Sequence, residues 1–147
     1  MKVPIDVWQR ASAHQEAIQR EFDILRAELP ETSPPNRLHA LIEEYESRYG
    51  PSTEATMADL LTAAKRGDKQ VDVVFSVPFS AAEAARQLLR TFDEVDEFCR
   101  AGERLLTLAT PPEEAAFRRW LLGEFTRQIE HGLEPRQWTP IDMDDGR

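Results

Sequence analysis

The chain has 147 residues, a formal net charge of −9, and 41% hydrophobic against 31% charged side chains. That length suits one domain whose core closes without a metal or disulfide staple, and a single cysteine excludes both an intrachain disulfide and a multi-thiolate zinc site. The acidic balance is even, since residues 1–50, 51–110 and 111–147 each carry three more acidic than basic side chains, so no basic segment is available for nucleic acid.

The first element expected is an amphipathic helix from about Asp6 to Leu29, with Val7, Ala11, His14, Ile18, Phe22 and Leu25 on one stripe. Its near-heptad spacing suits a lengthwise helical partner, either the second helix or a second copy of the chain in a homodimer. Pro30 and Pro34-Pro35 end it. A second helix follows from about Pro35 to Tyr49, stopped by Gly50-Pro51, and a third from about Glu54 to Lys65, ended by Gly67. The period then changes to two. Val71, Val73, Phe75 and Val77 read as a half-buried strand near 70–77.

Ser80 and Glu83 form a capping-box pattern. It opens a helix from about Ala81 to Ala101, with Gly102 as its left-handed terminus. A short second strand is expected near 104–109, giving a strand–helix–strand crossover. Thr110-Pro111-Pro112-Glu113 starts the last helix, which runs to about His131 and ends at Gly132. The fold expected is therefore mainly α, with about five helices and a minor two-stranded element. Residues 1–133 form the compact domain. Residues 134–147 form an acidic, proline-containing, flexible tail that Trp138 can tack down.

No apolar run reaches the roughly 7–15 residues of a secretion signal or the ~20 of a membrane span, so a cytoplasmic chain with no membrane partner is expected. No glycine-rich phosphate loop, nucleophile elbow or metal-type histidine spacing is present, so neither a cofactor nor a metal is expected. His14 is the candidate phosphoacceptor, because a histidine on a helical hairpin can take a phosphoryl group beside an orienting acid. The plainer reading is a seam histidine with one hydrogen bond. Asp93, Glu94, Asp96 and Glu97 form an acidic run that reads as a solvated face or a docking patch for a basic partner, since they lack cation-loop geometry. Arg118 and Arg119, with Arg86, Arg90 and Arg127, offer an anion site or else pair with Glu114, Glu124 and Glu130. Cys99, at the apolar edge of its helix, reads as core. Trp8 and Trp138 either close the core or anchor a partner; Trp120 reads as core.

Several segments resemble a family of small actinobacterial proteins that accompany anti-sigma-factor kinases and their antagonists in stress-signalling gene clusters. They are Asp6-Val7-Trp8-Gln9-Arg10-Ala11-Ser12-Ala13-His14, Asp93-Glu94-Val95-Asp96-Glu97-Phe98-Cys99-Arg100, and Leu105-Leu106-Thr107-Leu108-Ala109-Thr110-Pro111-Pro112-Glu113 leading into Phe117-Arg118-Arg119-Trp120. The resemblance implies a protein partner, such as a kinase or its antagonist. It supplies no catalytic residue. The chain also lacks the asparagine-rich helix and Asp-x-Gly-x-Gly segment of a kinase-type ATP site, as Asn36 is its only asparagine. The function expected is a non-enzymatic regulator acting by protein docking in a partner-switching cascade. The alternatives are a phosphotransfer protein using His14, or a small-molecule sensor with a pocket lined by Phe75, Leu106, Phe117 and Trp120.

Overall fold

The computed structural model describes residues 1–102 and 108–140. Their order is β1 (Lys2–Pro4), α1 (Ile5–Leu25), α2 (Pro34–Arg66), β2 (Gln70–Asp72), α3 (Ala81–Ala101) and α4 (Pro112–His131). Four helices are present among the described residues, where five were expected. The second and third expected helices are one, because α2 runs 33 residues straight through Gly50-Pro51.

A proline inside a helix removes one backbone hydrogen bond and crowds the preceding turn. Here Pro51 and Ser47, the residue whose carbonyl loses its donor, are both exposed. The Thr53 hydroxyl donates to the Tyr49 and Gly50 carbonyls at 3.2 Å each. Tyr45 and Tyr49 are buried before the break and Thr56 and Leu60 after it. Tertiary anchoring on both sides thus outweighs the local stop signal. At the far end Gly67 adopts φ 73° and closes the helix through its N–H, a conformation that costs other residues about 1–2 kcal/mol.

The sheet differs from expectation in its partner. β1 and β2 pair antiparallel, with Lys2 opposite Asp72, Val3 opposite Val71 and Pro4 opposite Gln70. The ladder of the expected 70–77 strand ends at Asp72, with two further bonds, from the Val73 N–H to the Met1 carbonyl and from the Met1 ammonium to the Val73 carbonyl. Beyond it the alternation persists, since Val73 is buried while Val74 is 81% exposed. The expected strand near 104–109 falls largely on residues 103–107, outside the described residues.

α1 packs on α2 and α4, and α3 packs on α2 and α4. Side-chain pairs fix the directions. Ile18 and Phe22 of α1 meet Leu38 early in α2, whereas Val7 and Trp8 meet Leu60 and Ala63 late in it. Asp96 late in α3 bonds Arg118 early in α4, and Arg86 early in α3 pairs with Glu130 late in α4. The result is an up-down-up-down bundle of four helices. The apolar stripe of α1 is occupied within this bundle by α2 and α4. One core cluster at the β1 end joins Val3, Ile5, Val7, Trp8, Leu60, Ala63, Val73 and Phe117. A second joins Ile18, Phe22, Leu38, Phe92, Val95 and Cys99. Full burial of one such large side chain contributes about 1.5–3 kcal/mol.

Three expected caps are formed differently. Ser80 makes no side-chain cap bond; its hydroxyl instead meets the Tyr49 hydroxyl at 2.9 Å. Gly102 is extended, at φ −98° and ψ 120°. Pro111 rather than Thr110 is the N-cap of α4, because the Thr110 hydroxyl donates to Asp96.

Residues 132–140 run without regular structure, and those from Glu134 belong to the expected tail. They lie against α4. Trp138 packs edge-on to Phe117 and Trp120, with ring centroids 5.7 and 5.9 Å away. Trp120 Nε1 donates to the Arg136 carbonyl at 3.2 Å. Residues 141–147 are outside the described residues.

Candidate ligand cavity

The bundle does not fill its own centre. A cavity of about 370 Å³ lies among the four helices, within the usual range for small-molecule sites. Small side chains on α1 and α2 make the space: Ala11 and Ser12 on one, Gly50 and Thr53 on the other. A Cβ built on Gly50 would meet nothing within 4 Å. Aromatic and aliphatic groups form most of the wall, including Trp8, Ile18, Tyr45, Tyr49, Leu88, Phe92, Phe117 and Leu121.

Polar groups converge on it from three elements. α1 contributes Ser12, His14 and Gln15, α2 contributes Glu46 on the exposed rim, and α4 contributes Glu114 and Arg118, with Thr110 just before it. His14 is half-buried, and its Nε2 lies 3.0 Å from the Leu108 carbonyl. A carbonyl only accepts, so Nε2 holds a proton and donates it here. Tyr45 donates to Gln87 Oε1 at 2.6 Å. Burial first, then Glu44, raises its phenol above the ordinary value and keeps it a donor.

Arg118 is held as a fixed wall. Nη2 donates to Asp96 Oδ2 at 2.7 Å and Nη1 to Thr110 Oγ1 at 3.3 Å. Its guanidinium lies 4.4 Å from the Phe92 ring centre. Asp96 also accepts from the Thr110 N–H and hydroxyl. Both carboxylate oxygens are therefore engaged, and Asp96 is 3% exposed.

Glu114 is bound more loosely. Its Oε1 accepts from Arg10 Nη1 at 3.2 Å, and the same guanidinium serves Glu113 at 3.0 Å and Asp6 at 3.0 Å. Three carboxylates thus share one cation. The other oxygen of Glu114 accepts no hydrogen bond among the described residues, although the side chain is 9% exposed.

The candidate residues separate accordingly. His14, Trp8 and Arg118 come together at the cavity. The acidic run divides, with Asp93, Glu94 and Glu97 exposed and Asp96 turned inward, so it is not one acidic face. Glu94 pairs with Arg37. Arg119 is exposed. Arg86 and Arg127 pair with Glu130 and Glu124, whereas Arg118 takes Asp96 instead of Glu114. Trp138 packs on Phe117 and Trp120 and does not line the cavity. Cys99 is fully buried, and burial first, then Asp96, pushes its thiol up to about 11, so it is unreactive at neutral pH.

The expected sensor pocket is distributed differently: Phe117 lines the bundle cavity, and Phe75 lines a second one of about 360 Å³ beside Val73, Val77, Phe125 and Ile129. Trp120 lines neither, and Leu106 is outside the described residues. Sequence reasoning missed Tyr45, Tyr49 and Thr110 as site residues, and took Glu114 only as an ion-pair partner. Among the described residues, no group of three or more His, Cys, Asp or Glu is placed to hold a metal ion, and no helix is long and apolar enough to cross a membrane.

Comparison of the chain with protein-family models, with curated proteins and with solved structures gave no match.

Proposed function

We propose that this chain is a non-enzymatic regulatory domain that senses a small molecule in the bundle cavity and reports it to a protein partner. The observation that carries the reading is the cavity itself. It is lined by Ser12 and Gln15, whose side chains form no hydrogen bond among the described residues, within a largely apolar wall. Polar groups that the fold does not use are the usual mark of a site that fixes a ligand.

Docking would use the outside of the same bundle. Val74 and Phe79 are 81% and 70% exposed on the connection from β2 to α3, and Asp93, Glu97 and Arg119 add exposed charge. The partner-switching setting implied by the resemblance would supply a kinase or its antagonist. The phosphoacceptor alternative has less support, since His14 Nε2 is committed to Leu108 and only Nδ1 is left for a phosphoryl group.

Thermal melting of the full chain against a library of nucleotides and metabolites tests the reading, because a ligand held only by the folded state raises the melting temperature. Hits are expected, and they should vanish in Ala11→Trp, which places an indole in the cavity. A flat response across the library, or hits that Ala11→Trp leaves unchanged, would refute it.

A further inference from the structure

We infer that the bundle cavity takes a small organic cation, an ammonium group on a short apolar or aromatic body, with Glu114 as its counter-ion. The inference rests on the ligand-sensing reading and adds the charge of the ligand.

Charge is the first argument. Arg118 is neutralised by Asp96, whose oxygens are both engaged. Its charge is offset there, and the donor it leaves without a partner, Nε, is buried. Glu114 shares Arg10 with Asp6 and Glu113, so this end of the cavity is left negative. Glu114 is also nine-tenths buried with one oxygen free of hydrogen bonds among the described residues. Glu114 lines the cavity, so this oxygen is an acceptor that a ligand's donor can reach. An ammonium N–H would satisfy it. Glu46 on the rim forms no ion pair among the described residues, and repeats the same sign at the entrance.

The walls are the second argument. Trp8, Tyr49 and Phe117 present aromatic rings, whose faces attract cations. An anionic ligand would meet Glu114, and Arg118 Nε, which has no hydrogen-bond partner, is itself buried out of its reach. A neutral apolar ligand would fill the space but leave the carboxylate unpaired.

Titration calorimetry of the full chain with three molecules of one shape tests this: phenethylamine, 2-phenylethanol and phenylacetate. Phenethylamine should bind about ten- to a hundredfold more tightly than the alcohol, the range expected for one hydrogen bond to a charged group, and phenylacetate should give no heat. Glu114→Gln should remove that preference while the alcohol binds as before. The change in total tryptophan emission, in which Trp8 is the cavity-lining ring among three, gives an independent readout.

If the alcohol or phenylacetate binds at least as well as the amine and Ala11→Trp abolishes this, the charge inference fails and the sensing reading survives. If the amine is preferred equally by wild type and Glu114→Gln, Glu114 is not the counter-ion and the proposal is overturned. If none of the three binds, the cation proposal is overturned, and the broader melting screen decides the sensing reading separately.

Discussion

The two ends of α4 each bury a carboxylate and satisfy it differently. Near the C-terminal end, Glu124 is 2% exposed and accepts from Arg127 at 2.8 Å, from Gln128 at 3.0 Å and from the Arg136 backbone N–H at 3.0 Å. Near the N-terminal end, Glu114 receives one 3.2 Å bond from a guanidinium that it shares with two other acids. Glu124 ties the segment after α4 to the helix, while Glu114 opens on empty space. Burial alone therefore does not separate a structural charge from one available to a ligand; the count of donors around it does.

The largest effect should come at the cavity end, from the pair that fixes its wall. Arg118→Met leaves Asp96 buried without its cation and should destabilise the fold by about 3–5 kcal/mol, measured by urea unfolding. The double variant with Asp96→Asn should recover much of that loss. A small loss in the single variant would break the distinction between a fixed wall and a free acid.

Glu124→Gln should cost about 1.5–3 kcal/mol, the range for hydrogen bonds to a charged group. Burial raises the Glu124 carboxyl, but the Arg136 N–H, Gln128 and Arg127 together hold it below its usual value. Its contribution is therefore complete above the ordinary glutamate value of about 4.3 and is lost as pH falls through the lowered one. Unfolding curves of the glutamine variant should be flatter than wild type across that acid range, and parallel curves would remove Glu124 as the cause. The smallest effect belongs to Glu114→Gln. Arg10 is 41% exposed and keeps Asp6 and Glu113, so the loss should stay under about 1 kcal/mol. A cost equal to that of Glu124→Gln would make the two acids equivalent.

The amphipathic stripe of α1 is plain from residue types alone, and Val7, Ile18 and Phe22 are buried as their spacing requires. Gly67 and Gly132 also end their helices as expected, both at positive φ. Gly50-Pro51 misleads because a local rule cannot weigh the burial of Tyr49 and Leu60 on either side. β1 is only three residues long, too short for any alternation to be read, so the true partner of β2 is hidden in Lys2-Val3-Pro4. At the site, the inward position of His14 is legible. Glu114 is legible in principle, falling three and seven residues before Phe117 and Leu121 on one stripe, a signal that the ion-pair reading conceals. Asp96 hides inside an acidic run whose other members are solvated, and its separation from them depends on the bond to Arg118.

Phe117 belongs to two neighbourhoods at once, with one side on the cavity and its edge-on neighbour Trp138 on the other. An occupant that shifted this ring would disturb the packing of Trp138, and the coupling would act equally in the other direction. The interior of the bundle and an outer segment thus share a single aromatic ring.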